Sequence, residues 1–147
     1  MTDDAYQQRA SGFAAMLMRQ ATWPAAVVLL CEGFAPLVAS ALGAFQAPLG
    51  VLALMASAAG GVAALGLSAL LVFDALLFRL MATYENKTRG GAAVDDMLAR
   101  MRLKPATPNP RPLDERMAGT RRLLNRQRAA LAFFAIALLA AGFWMPR

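Results

Sequence analysis

Apolar residues gather in three long blocks, about Thr22–Phe45, Leu49–Phe73 and Ala129–Met145. At 1.5 Å per residue, each block approaches or exceeds the ~30 Å hydrocarbon core of a bilayer, which ~20 apolar residues span. The blocks are rich in Ala, Leu, Val, Met and Phe and carry few β-branched residues. They predict helices, not the alternating ~10-residue strands of an outer-membrane barrel.

Outside the blocks the pattern becomes periodic. Tyr6, Ala10, Phe13 and Leu17 fall on one helical face. They make residues 1–21 an amphipathic lead-in at the cytoplasmic surface, before Pro24 opens a first span over 22–45. Phe73, Leu76, Leu77, Leu80, Met81 and Tyr84 step as i, i+3, i+4, i+7, i+8 and i+11. A second span over 49–76 is therefore expected to leave the bilayer and continue to about residue 85, with Gly90-Gly91 as terminator.

The basic loop, 86–128, is expected to hold a short helix over 92–104. Val94, Met97, Leu98 and Met101 form its apolar face, suited to the membrane surface or to a partner. Asp95 and Asp96 in its first turn and Arg100, Arg102 and Lys104 near its end match the helix dipole. Asp96 and Arg100 are spaced for an i,i+4 pair. Four prolines make 105–112 an extended spacer. From Leu113 a helix runs into the third span, 129–145. The fold class expected is all-α: an integral membrane bundle of three transmembrane helices with cytoplasmic amphipathic extensions.

Composition narrows the function. The chain has 147 residues, 59% of them hydrophobic, which fills three spans and short connections and leaves no room for a separate soluble catalytic domain. A single cysteine, Cys31, excludes an internal disulfide and reads as a small apolar residue in a helix. There is no histidine, so the usual zinc and haem ligand and the commonest general base are missing. No Cys/His cluster, phosphate loop or nucleophile elbow is present. The expectation is a protein that is not an enzyme and holds no cofactor or metal. Ala39-Ser40-Ala41 resembles a signal-peptide cleavage site, but Glu32 and two prolines in a long apolar run favour retention of residues 1–45.

Charge orients the chain. Residues 77–128 carry twelve cations and five acids, a net of +7, while the Gln46-Ala47-Pro48 connection carries none. Cationic loops stay in the cytoplasm. The N-terminus is thus expected inside and Arg147 outside, with Trp23 and Trp144 as interfacial anchors, in a bacterial inner membrane. The cations lack interleaved aromatics or a nucleic-acid-binding module, so anionic lipid is the expected contact. Arg100, Arg102, Lys104, Arg121, Arg122, Arg126 and Arg128 are the residues expected to make it.

Two features inside the spans carry chemistry. Glu32 lies ~20 Å from the outer end of its span, where ionisable groups are costly and often functional. Pro36 frees the carbonyl of Glu32 and tends to kink the helix at the same place. Small residues stripe the second span in two rows of four-residue spacing, Ala53-Ser57-Gly61 and Ala56-Gly60-Ala64-Ser68. Such rows let helices approach closely, within the chain or toward a partner. Asp74 lies ~38 Å along from Leu49, beyond the core, and is expected near Arg79 at the inner interface. The function expected is a non-catalytic accessory or assembly subunit that binds other membrane-protein components, or copies of itself, through its helices and basic loop. A small oligomeric pore or transporter, holin-like or ion-conducting and built on Glu32, is the alternative.

Overall fold

The computed structural model describes residues 3–84, 86–102 and 112–143. These residues form four α-helices and one 3-10 turn: α1 Asp3–Ala41, the turn Ala44–Gln46, α2 Pro48–Ala82, α3 Lys87–Arg100 and α4 Leu113–Phe143. The described residues include no strand. Helices α1, α2 and α4 are each long and apolar enough to cross a membrane. The chain is an all-helical membrane bundle.

Contacts divide it into two compact units. The first joins residues 1–20 to 70–122; the second joins 21–69 to 123–147.

In the first unit the lead-in face is buried against protein. Tyr6, Ala10, Phe13 and Leu17 are all at most 6% exposed. Phe13 meets Phe78 of α2 edge to face, with ring centroids 4.9 Å apart. Such a pair contributes about 0.5–1.5 kcal/mol beyond the area it buries. Gln7 Nε2 donates to the Tyr84 carbonyl at 3.1 Å. The periodicity of this face is the predicted one, and its buried side meets protein, with Phe78 of α2 against Phe13 and Gly90 of α3 beside Tyr6.

The buried line of α2 in this unit is Leu71, Ala75, Phe78 and Met81. It differs from the expected stripe, because Leu76 lies outside at 49% exposure and Phe73, Leu77 and Leu80 are not fully buried. Residues 73–84 are apolar on two faces, and periodicity alone cannot choose between them.

Helix α3 departs from expectation at both ends. It starts at Lys87, not 92, because Asn86 caps it: the Asn86 side chain accepts from the Thr88 backbone N–H at 2.9 Å. Gly90 and Gly91 lie inside the helix and do not end α2. A Cβ on Gly90 would stand 3.0 Å from the Met81 carbonyl oxygen, so glycine there permits close approach to the end of α2. After Arg100, Arg102 turns the chain at φ 55°, in the left-handed region. Of the predicted apolar face, Val94 is buried, while Met97 and Met101 stay exposed. The spacer 105–112 falls, except for Pro112, outside the described residues.

In the second unit α2 is the central helix. One third of its apolar window is buried, against 11% for α1 and 17% for α4. Val28, Ala64 and Phe134, one from each helix, form the core, with Cys31, Leu65 and Leu131 packed around them. Pro24 and Pro36 are both interior to α1, which runs unbroken from Asp3 to Ala41. Pro24 therefore does not open the helix, and α1 stops four residues short of Phe45, the expected end of the span.

Candidate functional site

Bilayer-depth helices pack through small residues and polar contacts, since lipid tails are as apolar as leucine and give no drive to bury one helix against another. The two rows of α2 follow this rule and face different neighbours. Gly61 faces α1: a Cβ there would meet Glu32 Oε1 at 3.1 Å and both Glu32 Cγ and Val28 Cγ1 at 3.3 Å. Ser57, one turn earlier, is 1% exposed and donates to Glu32 Oε1 at 3.2 Å. Gly60 faces α4: a Cβ there would meet Phe133 Cδ1 at 2.9 Å and the Phe134 backbone at 3.1 and 3.2 Å. Ala64 joins the core on the same side. Ser68 completes the row in a relay, with Gln127 Nε2 donating to Ser68 Oγ at 2.7 Å and Ser68 Oγ donating to the Ala64 carbonyl at 2.8 Å. Ala56 is half-buried. Gly60, Gly61, Ala64 and Ser68 are thus covered within the chain.

Glu32 sits nine residues before the end of α1 at Ala41, ~14 Å along the helix and so near the middle of a ~30 Å core. Oε1 accepts from Ser57, and no donor among the described residues reaches Oε2. The residue is half-buried. Beside it the helix surface is open, since a methyl placed on Gly33 would have nothing within 4 Å and Pro36 is exposed. Leu29, Leu30, Phe34 and Leu37 around this notch are all 60–65% exposed.

Asp74 is held differently from the expectation. Its Oδ2 accepts from Thr120 Oγ1 of α4 at 2.8 Å, and Arg79 is exposed. The Arg116 carbonyl, at 3.1 Å, is an alternative acceptor for the single Thr120 proton. One turn earlier on α4, Arg116 Nη2 donates to Asp95 Oδ2 of α3 at 2.7 Å, with both side chains almost wholly buried. Sequence patterning does not reveal this pair, because Asp95 reads as a helix-dipole residue and Arg116 as one more loop cation. The detectable signal is the heptad-like buried line of α4, Leu113, Met117, Thr120, Leu124 and Gln127, which places Arg116 beside a core position.

The basic residues are displayed as charges. Arg121, Arg122, Arg126 and Arg128 are exposed on α4. Arg100 is exposed and paired with Asp96 at 2.9 Å, the i,i+4 contact. Arg102 is exposed in its turn, and Lys104 lies outside the described residues. Among the described residues no group of three or more Cys, Asp or Glu side chains could hold a metal ion. No protein-family model matches the chain, and no curated protein or solved structure matches it.

Proposed function

We propose that this protein is a non-catalytic subunit that associates with another membrane protein through the outer face of α1, docking at Glu32. One observation carries the reading. A carboxyl group at mid-span depth has one oxygen satisfied by Ser57 and the other without a donor among the described residues, beside an open helix surface. In hydrocarbon an unsatisfied polar oxygen costs several kcal/mol by transfer scales, about 2–7. A donor from a second helix removes that cost. The open notch at Gly33 and Pro36 lets such a helix approach closely, as small residues do throughout membrane packing.

The remaining parts fit the role. In this reading the 86–128 segment faces the cytoplasm of a bacterial inner membrane and the C-terminus faces outward. Arg100, Arg102, Arg121, Arg122, Arg126 and Arg128 contact anionic headgroups, each contributing about 1 kcal/mol near the surface.

The test is gentle extraction and affinity purification of the full chain, wild type against Glu32→Gln. Glutamine cannot pair with a cation as a carboxylate does and cannot donate a carboxylic proton. Recovery of a stoichiometric membrane partner, reduced roughly tenfold in the variant at equal expression, is the expected result. Equal recovery from both would remove Glu32 from the interface. Ion flux in proteoliposomes made with the purified chain alone would favour a pore over a subunit.

A further inference from the structure

The first unit holds a second feature, a half-open cavity of about 210 Å³ between α2, α3 and α4. Its wall is divided. Leu77, Phe78, Met81, Val94 and Leu98 make an apolar side, while Asp74, Glu115, Arg116 and Thr120 make a polar one.

The polar side is acidic in effect. Arg116 supplies its only cation, and that guanidinium lies 2.7 Å from Asp95, whose charge offsets it. Asp74 uses Oδ2 to accept from Thr120. Its Oδ1 has no hydrogen-bond partner among the described residues and is not fully buried. Glu115 is exposed at the mouth with no ion pair among the described residues. Two acidic side chains, Asp74 and Glu115, thus line a space whose polar side also carries Thr120 and the Asp95-paired Arg116, and whose opposite side is hydrocarbon. The complementary occupant is a small organic ammonium: a cationic head for Asp74 and Glu115, and a short apolar body for the leucine, phenylalanine and methionine wall.

Volume limits its size. At ~30 Å³ for each water the cavity equals roughly seven waters, below the ~300–1,000 Å³ of sites that enclose drug-sized ligands. A single ring or a short alkyl chain fits. The same ammonium chemistry is available from a free amine or from the ethanolamine headgroup of a lipid.

We propose that this cavity binds a small organic ammonium ion, with Asp74 as the charge partner and the apolar side chains of α2 and α3 as the seat of its body. The site is separate from the Glu32 notch and does not depend on it.

Full-length protein with ¹³C-methyl methionine, in zwitterionic detergent and amine-free buffer, is titrated with phenethylamine and with phenethyl alcohol. The Met81 methyl reports occupancy. Both compounds partition into micelles, so the alcohol controls for that. The expected result is a saturable Met81 shift by the amine, with the alcohol weaker by roughly tenfold or more. Asp74→Asn keeps an acceptor for Thr120 but loses the charge, and should weaken the amine by a similar factor. Gly119→Leu is the second variant. Gly119 lines the cavity and a Cβ there meets nothing within 4 Å, so leucine can be accommodated and should occlude the space. Glu32→Gln should bind the amine like wild type.

A shift of equal strength from the alcohol would overturn the proposal, as would no saturable shift at all or unchanged amine binding in a folded Asp74→Asn or Gly119→Leu protein. Repeating the titration in phosphatidylcholine nanodiscs with and without phosphatidylethanolamine separates the two sources. Competition by the ethanolamine lipid supports a headgroup site, and unchanged amine affinity supports a site for free amine.

Discussion

Asp95 and Arg116 form a charge pair with only 11% and 12% of their side chains exposed. Taking two ions out of water costs several kcal/mol each, and their attraction roughly offsets it. The pair therefore adds little net stability but is costly to halve. Asp95→Asn or Arg116→Met alone should destabilise the protein by about 3–5 kcal/mol, whereas Asp95→Leu combined with Arg116→Met should recover most of the loss. A double-mutant cycle on detergent-solubilised protein, read by helix content against denaturant, measures both; single substitutions within about 0.5 kcal/mol of wild type would contradict the account. Tyr6 is the opposite case. It is 1% exposed, and its hydroxyl has no hydrogen-bond partner among the described residues. Burying an unpaired hydroxyl carries a penalty of about 1–3 kcal/mol, and burial raises the Tyr6 pKa for the same reason: a phenolate there would be harder still to desolvate. Tyr6→Phe should therefore unfold at higher denaturant than wild type, and a lower midpoint would show that the hydroxyl is satisfied.

At the scale of elements, the glycines of α2 make a graded prediction. A methyl at Gly60 would press on the Phe134 backbone at 3.1 Å, which cannot move without shifting α4. A methyl at Gly61 would press on the flexible end of Glu32 and on a Val28 methyl. Gly60→Ala should cost about 1–3 kcal/mol, as overpacking does, and Gly61→Ala less. Gly66→Ala, where a Cβ meets nothing, should stabilise the helix by about 0.5–1 kcal/mol. Equal effects at the three positions, in the same denaturation assay, would refute the packing described. These elements also show what sequence patterning can carry. The face Tyr6, Ala10, Phe13 and Leu17 is legible because polar residues flank it. The buried line Leu71, Ala75, Phe78 and Met81 is not, because its neighbours are equally apolar. The start of α3 is misread when two glycines are weighted above Asn86, although an asparagine cap is the stronger local signal.

The whole molecule is legible in outline for a simple reason: long apolar blocks leave helices as the only economical way to satisfy backbone groups in lipid. The candidate site is legible only in part. Glu32 stands out as a charge in an apolar run, but its pairing with Ser57, and the separate duties of two adjacent glycine rows, depend on which helix lies on which side. Depth and spacing do not contain that. The proposed orientation is tested at this scale. Reporter fusions after Lys104 and at the C-terminus should register opposite compartments, the first cytoplasmic, and a periplasmic signal from the first would invert the topology.

The adjacency of Gly60 and Gly61 has a mechanical corollary. Successive residues of a helix point ~100° apart, so the two glycines act like splines cut for two different neighbours. Rolling α2 by one residue in one sense would bring Val62 to the place where Gly61 meets α1. Rolling it in the other sense would bring Ala59 to the place where Gly60 meets α4. Either way a side chain enters a gap sized for hydrogen. A one-residue roll of α2 is therefore resisted in both senses, and the two glycines fix which face of α2 each neighbour meets.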